Sequence, residues 1–267
     1  MREPVIALLT DFGPRDWYVA AMKGVILSCA PRARFVDITH EVPPQDVTAG
    51  AFTLAAAVPW FPRGTVFLAV VDPGVGTERA LVAAAADGRY LLGPDNGVLS
   101  LSLARARTVR MVRLTNARYW LRHVSRTFHG RDILAPVAAY LARGGALHRL
   151  GAPCREPVRL ALPPVRRQGR VVQGTIAHID AFGTLITNLE TSSVPAPSRD
   201  VRIMLRCRGR LVPVVSSYGA AHPHQLIALA GSSGFLEVAV RDGSAARALR
   251  ARRGDPVSLR PHPCRGR

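Results

Sequence analysis

The run Val66-Phe67-Leu68-Ala69-Val70-Val71 constrains the fold more than any other stretch of the chain. Six consecutive apolar residues bounded by turn formers read as a buried strand. The strand ends on Asp72, and Pro73, Gly74 and Gly76 then turn the backbone sharply. Proline cannot donate to a sheet ladder, and glycine accepts backbone angles that other residues avoid. A carboxylate at the end of such a strand stands where open α/β sheets place ligands. Arg79 follows at the start of the next apolar run. On these residues alone two readings stay open. Asp72 is either a turn-capping carboxylate with Arg79 as its surface ion pair, or part of a site.

The chain before this strand repeats the same alternation. Val5 to Leu9 reads as a strand ending at Asp11 and Gly13, and Asp16 is expected to cap a helix from Trp17 to Cys29. Arg34 to Ile38 is the next strand, ending at Thr39-His40, and Asp46 opens a helix through Val58. Three strand–helix alternations predict a mainly parallel sheet covered by helices. Then the pattern changes. Ala80 to Ala86 and Tyr90 to Gly93 flank Asp87-Gly88, a hairpin signature. A short helix over Val98 to Leu103, a strand over Thr108 to Leu114 and a helix over Ile133 to Ala142 follow. His129 stands at the start of that last helix, where the helix dipole favours a neutral imidazole.

Pro153 to Gly169 is rich in proline and arginine and marks a domain boundary, placed as residues 1–164 and 165–267. Beyond it, short strand candidates recur: Val171 to Ile179, Leu185 to Leu189, Val201 to Arg206, Leu211 to Val215, Leu226 to Ala230, Phe235 to Arg241 and Pro256 to Leu259. Their spacing predicts a small barrel or sandwich. The fold class expected is therefore an α/β N-terminal domain plus an all-β, barrel-like C-terminal domain.

The formal net charge is +18, from 36 basic and 18 acidic residues. Only Lys23 among the basic residues is a lysine, which points to a compositional bias of the genome and weakens the step from arginine content to nucleic-acid binding. Basic residues concentrate late in the chain, at Arg166-Arg167, Arg206 to Arg210, Arg247 to Arg253, Arg265 and Arg267. Such a surface attracts polyanions, but few aromatics are interleaved to stack bases. Cys29, Cys154, Cys207 and Cys264 are too scattered for a zinc knuckle or a disulfide frame, and free thiols in the cytoplasm are expected. His222-x-His224 has no evident third ligand, so no metal site is expected. No signal peptide and no segment long enough to span a bilayer is read, so no membrane partner is expected.

Several motifs stand in order along the chain. They are T-D-F-G at Thr10 to Gly13, D-W-Y-V-A-A-M-K-G from Asp16, D-I-T-H from Asp37, and V-D-P-G-V-G-T-E-R ending at Arg79. G-P-D-N-G, T-F-H-G-R-D, I-D-A-F-G-T-L-I-T-N and S-G-F-L-E-V-A-V complete the set. Over nearly its whole length the chain resembles the S-adenosylmethionine hydroxide adenosyltransferases, adenosine-forming hydrolases related to fluorinase and chlorinase. The resemblance implies conversion of S-adenosylmethionine and water to adenosine and methionine, with no separate cofactor. It implies a homotrimer, with substrate between the N-terminal domain of one subunit and the C-terminal domain of its neighbour. The family's catalytic residues fall on Asp72, Arg79 and His129, and its ribose-binding carboxylate on Asp11. The methionine end falls to Asp16, Asp180 and Ser232. Thr184 and Glu237 join the substrate-binding set, and adenine is read largely by backbone around Val240 and near Asn188.

The competing enzyme reading is a halide-using relative. Those proteins have a serine where this chain has Gly130, lack the pair matching Asp72 and His129, and fluorinases carry a long insertion where only about 13 residues separate Arg79 from G-P-D-N-G here. These features favour hydroxide as nucleophile. A non-enzymatic nucleic-acid-binding protein using the basic C-terminal half is the other alternative. The chain departs from the family at Thr184 and Arg241, where asparagine is usual, and altered nucleoside affinity is expected from the first.

Overall fold

The computed structural model describes residues 3–160, 163–193 and 201–263. The chain divides into two compact units, Met1–Leu160 and Ala161–Arg267.

In the first unit, β1 (Val5–Thr10), β2 (Arg34–Thr39), β3 (Val66–Val70), β4 (Leu81–Ala86), β5 (Arg89–Pro94) and β6 (Val109–Arg113) form one sheet in the order β2-β1-β3-β5-β4-β6. The pairings β1–β2, β1–β3 and β3–β5 are parallel, whereas β4 runs antiparallel to β5 and β6. Every residue of β3 is buried. Alternation along the strand explains why: Val66, Leu68 and Val70 face one core, and Phe67 and Ala69 the other. Helices α1 (Tyr18–Cys29) and α4 (Ala135–Ala142) cover the first face, and α2 (Val47–Ala57) covers the second with α3 (Ser100–Ala104) beside it. Full burial of a large apolar side chain stabilises by about 1.5–3 kcal/mol, so this strand is a firm base for a site. The β4–β5 hairpin turns on Asp87 and Gly88, both at positive φ, 46° and 79°.

Asp46 caps α2 as expected, its carboxylate accepting from Ala49 N at 2.9 Å. Asp16 does not cap α1. Trp17 occupies the cap position with helical angles and no side-chain cap. Packing sets this entry instead: Trp17 stacks on Tyr18 at 4.6 Å, and both rings meet Phe128 edge-on. The helix expected from Ile133 begins earlier, as a π-helical turn over Gly130–Leu134 that runs into α4.

The second unit contains β7 (Arg166–Gln168), β8 (Val171–Ile179), β9 (Leu185–Glu190), β10 (Val201–Cys207), β11 (Arg210–Val215), β12 (Leu226–Ala230), β13 (Phe235–Val240), helix α5 (Ala245–Leu249) and β14 (Pro256–Pro263). The strand order is β14-β10-β11-β12-β13-β9-β8-β7, and β14 also pairs with β8. That pairing closes seven strands into a barrel, which removes exposed sheet edges; β7 is an extra strand on β8. The β11–β12 pair is parallel within an otherwise antiparallel barrel. Val172, Ile176, Leu185, Leu189, Cys207, Leu236 and Val238 are among the residues filling the interior. Burial, with the Asp255 charge second, pushes the Cys207 thiol up to about 11, so it packs as an inert apolar group. Cys29, Cys154 and Cys207 are free thiols; Cys264, Arg265 and Arg267 lie outside the described residues. Among the described residues no helix is long and apolar enough to cross a membrane.

Candidate active site

Adjacent parallel strands bring the first unit's site together. Thr10 of β1 lies beside Val70 of β3, so Asp11 and Asp72 both leave the sheet at the same carboxyl edge. Asn96, just after β5, ties down the loop behind Asp72: its Nδ2 donates to Val71 O at 2.8 Å, and its Oδ1 accepts from Val98 N.

Asp72 and Arg79 form a forked ion pair. Arg79 Nε lies 2.8 and 3.0 Å from the two Asp72 oxygens, and Nη2 lies 2.5 Å from Oδ2. The side chains are only 7% and 11% exposed, respectively, so this is not an ion pair of the surface. A surface ion pair would be solvated, whereas this one is held in place by loop geometry. Gly76 makes that geometry possible: its φ is 83°, and a Cβ there would lie 2.6 Å from Arg126 O. The loop of Asp72 therefore presses against the loop that leads to His129.

The second Arg79 contact fixes a protonation state. Arg79 Nη2 lies 2.9 Å from His129 Nδ1. Guanidinium has no acceptor, so Nδ1 must accept, and the imidazole is neutral with its hydrogen on Nε2. The electrostatics agree: burial, then the Arg79 charge, lower the His129 pKa, against the smaller raising effects of Asp72 and Asp132. Asp132 is fully buried, bound by Arg131 Nε at 2.6 Å and Nη2 at 3.0 Å and by Ser125 N at 2.8 Å. It anchors the turn that carries His129.

Asp11 accepts from Gln45 N at 2.8 Å through Oδ2, leaving Oδ1 without a hydrogen bond among the described residues. Gln45 takes a left-handed conformation, φ 64°, to make this bond. Behind it, His40 Nδ1 meets Thr10 Oγ1 at 2.9 Å, and Lys23 Nζ meets Asp37 Oδ2 at 2.6 Å. His40 thus joins the end of β1 to the turn after β2. Phe12, Trp17, Tyr18 and Phe128 form an aromatic wall between the Asp11 turn and the His129 turn, with Trp17 57% exposed. Asp16 is exposed at the edge of this wall and makes no hydrogen bond among the described residues.

In the barrel unit, Asp180 closes the β8–β9 turn, its Oδ1 accepting from Phe182 N at 3.0 Å and Thr184 N at 2.8 Å. Tyr218 Oη donates to Glu237 Oε2 at 3.4 Å. Burial, then the Asp180 charge, raise the Glu237 pKa; burial, then Glu237, raise that of Tyr218. Asp180, Glu237 and Tyr218 therefore share one electrostatic neighbourhood. Ser232 is exposed in the adjacent β12–β13 turn, and Val240 ends β13 half-buried. The Asn188 side chain is committed elsewhere: Nδ2 donates to Pro163 O and Oδ1 accepts from Thr175 N, each at 2.8 Å.

Two family models match the chain, the SAM hydroxide adenosyltransferase N-terminal domain over residues 6–151 and its C-terminal domain over 174–258. The chain belongs to the SAM hydroxide adenosyltransferase family. A relative from Salinispora tropica, named (R)-S-adenosyl-L-methionine hydrolase, is 43% identical over 261 residues, 96% of this chain and 97% of that protein. A fluorinase from an Actinoplanes species is more distant, 30% identical over 230 residues, 76% of this chain and 77% of that protein. The crystal structure of an uncharacterized conserved protein from Thermotoga maritima superposes with a TM-score of 0.89 at 34% identity, covering 95% of this chain and 99% of that one.

Of the residues singled out from the family's motifs, Arg79 contacts both Asp72 and His129, with Asp11 at the neighbouring strand end. Asp180 and Glu237 lie within electrostatic reach of one another in the barrel. Among the described residues, Asp16 and Ser232 make no side-chain hydrogen bond to either cluster, and the apolar Val240 can offer only its backbone. Asn96, Gln45 and Tyr218 were not anticipated. Asn96 lies in G-P-D-N-G, but its bond to Val71 connects positions 25 apart, which no local pattern encodes.

Proposed function

We infer that this member of the SAM hydroxide adenosyltransferase family hydrolyses S-adenosyl-L-methionine to adenosine and L-methionine. The observation that carries the reading is the Asp72–Arg79–His129 constellation, with Arg79 bound to both partners. Water oxygen attacks the 5′-carbon. The new C–O bond forms as the C–S bond breaks, and the electron pair passes to sulfur. Methionine leaves as a neutral thioether, so the leaving group needs no acid, and the sulfonium supplies its own activation without a cofactor.

The proton is the remaining problem. His129 Nδ1 is occupied by Arg79, so we assign Nε2–H to holding the water oxygen in line. Asp72 takes the proton. Arg79 already engages its carboxylate, which argues against full ionisation of water beforehand. A water oxygen bonding to carbon becomes a strong acid, however, and a held carboxylate suffices late in the step. Arg79 holds the Asp72 carboxylate in place to take that proton. Positioning the water contributes by lowering the entropic cost of a bimolecular attack. Asp11, with one oxygen held and the other open, suits a ribose diol.

The barrel carboxylates Asp180 and Glu237 offer charge of the right sign for the ammonium of methionine, and Ser232 offers a hydroxyl acceptor. We propose that they act in a neighbouring copy of a homotrimer, and that the reaction is cytoplasmic, in keeping with the described free thiols. The greater identity to a hydrolase than to a fluorinase favours water over halide as nucleophile. The test is turnover in ¹⁸O-labelled water without halide. Label in the adenosine 5′-hydroxyl is expected. Label in the methionine fragment, or strict dependence on halide, overturns the reading.

A further inference from the structure

A groove of about 760 Å³ on the barrel unit has no part in this chemistry. Arg166, Arg206, Arg208 and Arg250 line it, together with Gln173 and Ser258, and among the described residues no carboxylate does. The strand registers show that this is more than a scatter of arginines. Arg166 of β7 lies opposite Gln173 of β8, Gln173 opposite Ser258 of β14, and Ser258 opposite Arg206 of β10. Directly paired residues share a face, so Arg166-Gln173-Ser258-Arg206 is one continuous row across four strands. At the usual strand spacing its two arginines are about 14 Å apart at the backbone. Hydrogen-bonding side chains fill the gap.

Arg208 and Arg250 flank the groove at positions the backbone does not favour for them. Arg208 has φ 49° in the two-residue Arg208-Gly209 turn between β10 and β11, where asparagine or aspartate before glycine is the usual choice. Arg250 has φ 48° as the residue ending α5, where glycine is usual. Both positions keep a guanidinium at the expense of local backbone preference, a pattern associated with function. Arg208 lies 3.6 Å from Asp255. Arg166, Arg206 and Arg250 have no ion pair among the described residues.

We propose that this groove binds a linear oligophosphate chain. Arginine forks match phosphate oxygens in pairs, and a row with a cation at each end suits an extended polyanion better than a single phosphate. Among the described residues no aromatic lines the groove, so bases would find nothing there to stack on. The ligand is read through its phosphates, whether these come from free polyphosphate or from a nucleotide tail.

The test is calorimetric titration of the full-length protein at low salt with tripolyphosphate, ATP, inorganic phosphate and a short single-stranded RNA. Tripolyphosphate is expected to bind at least about 10-fold more tightly than phosphate. ATP binding more tightly than tripolyphosphate marks a nucleotide source; equal or weaker binding marks the free chain. Arg208→Asn and Arg250→Gly should each weaken tripolyphosphate binding by roughly 5-fold or more while leaving the melting temperature equal or higher, since each relieves a left-handed arginine. Three results overturn the proposal. They are absent tripolyphosphate binding, RNA or ATP binding without it, and undiminished binding in the double variant.

Discussion

Arg79 is the residue on which the site turns, because one guanidinium touches both other members of the trio. Arg79→Lys keeps the charge but removes the fork, and an ammonium cannot meet Asp72 and His129 in the same geometry. Adenosine release, followed by chromatography, is expected to fall roughly 10²-fold, with the fold intact by circular dichroism. Near wild-type turnover would remove Arg79 from the mechanism. The same contact sets a pH dependence. The His129 pKa is lowered, so in the folded protein the neutral ring persists below the ordinary value of about 6.5. Activity should therefore stay level through that value and fall only as pH drops through the lowered one. Stability follows the same sign: below about 6.5 the unfolded chain binds the proton first, so this residue's contribution declines with falling pH. In Arg79→Gln the second of the two lowering influences is gone, and the His129 pKa, read by NMR, should move up. A downward move would contradict the assignment of Nδ1 as acceptor.

At the scale of elements, the site is two loops pressed together. Gly76 sits at φ 83° against Arg126 O, so Gly76→Ala costs about 1–2 kcal/mol in backbone conformation alone and drives the loops apart. We expect a modest fall in melting temperature and at least about a 10-fold loss in kcat, because His129 leaves Arg79 before the unit unfolds. A kcat loss no larger than the stability loss accounts for would show that the loops move independently of the chemistry. Much of this level was legible in advance. The apolar run before Asp72, the Asp87-Gly88 hairpin and the Asp46 cap are local signals, and the elements follow them. The entry to α1 was not legible, because Trp17 and Tyr18 pack on Phe128, more than a hundred residues away, and that contact outweighs the pull of Asp16 as a cap. Nor was the neutral state of His129 legible from position alone. The helix-start argument pointed the right way, but burial and the Arg79 contact are what dominate. Strand register likewise appears only in the folded barrel, which is why the row from Arg166 to Arg206 was read from the sequence as no more than general basic charge.

At the scale of the whole molecule, the proposed substrate contacts are divided between the two units. Asp11, Asp72, Arg79 and His129 belong to Met1–Leu160, whereas Asp180, Ser232 and Glu237 belong to Ala161–Arg267. If a trimer forms each site from the first unit of one copy and the barrel of the next, two crippled chains can rescue one another. Asp72→Asn disables the first unit, and a joint Asp180→Ala, Glu237→Gln variant disables the barrel; each alone is expected to be nearly inactive. Co-expressed in equal amounts and assembled at random, they place an intact first unit beside an intact barrel in about a quarter of the sites. Adenosine release should return to about that fraction of wild type, and light scattering should report three copies per particle. Sites built within one chain would give no rescue, because every chain then carries its own lesion. The rescue also separates roles that single variants confuse. A barrel residue needed only for folding would leave its chain unable to assemble, and mixing would restore nothing. A barrel residue that contacts substrate leaves assembly intact and lends its sound first unit to the neighbour.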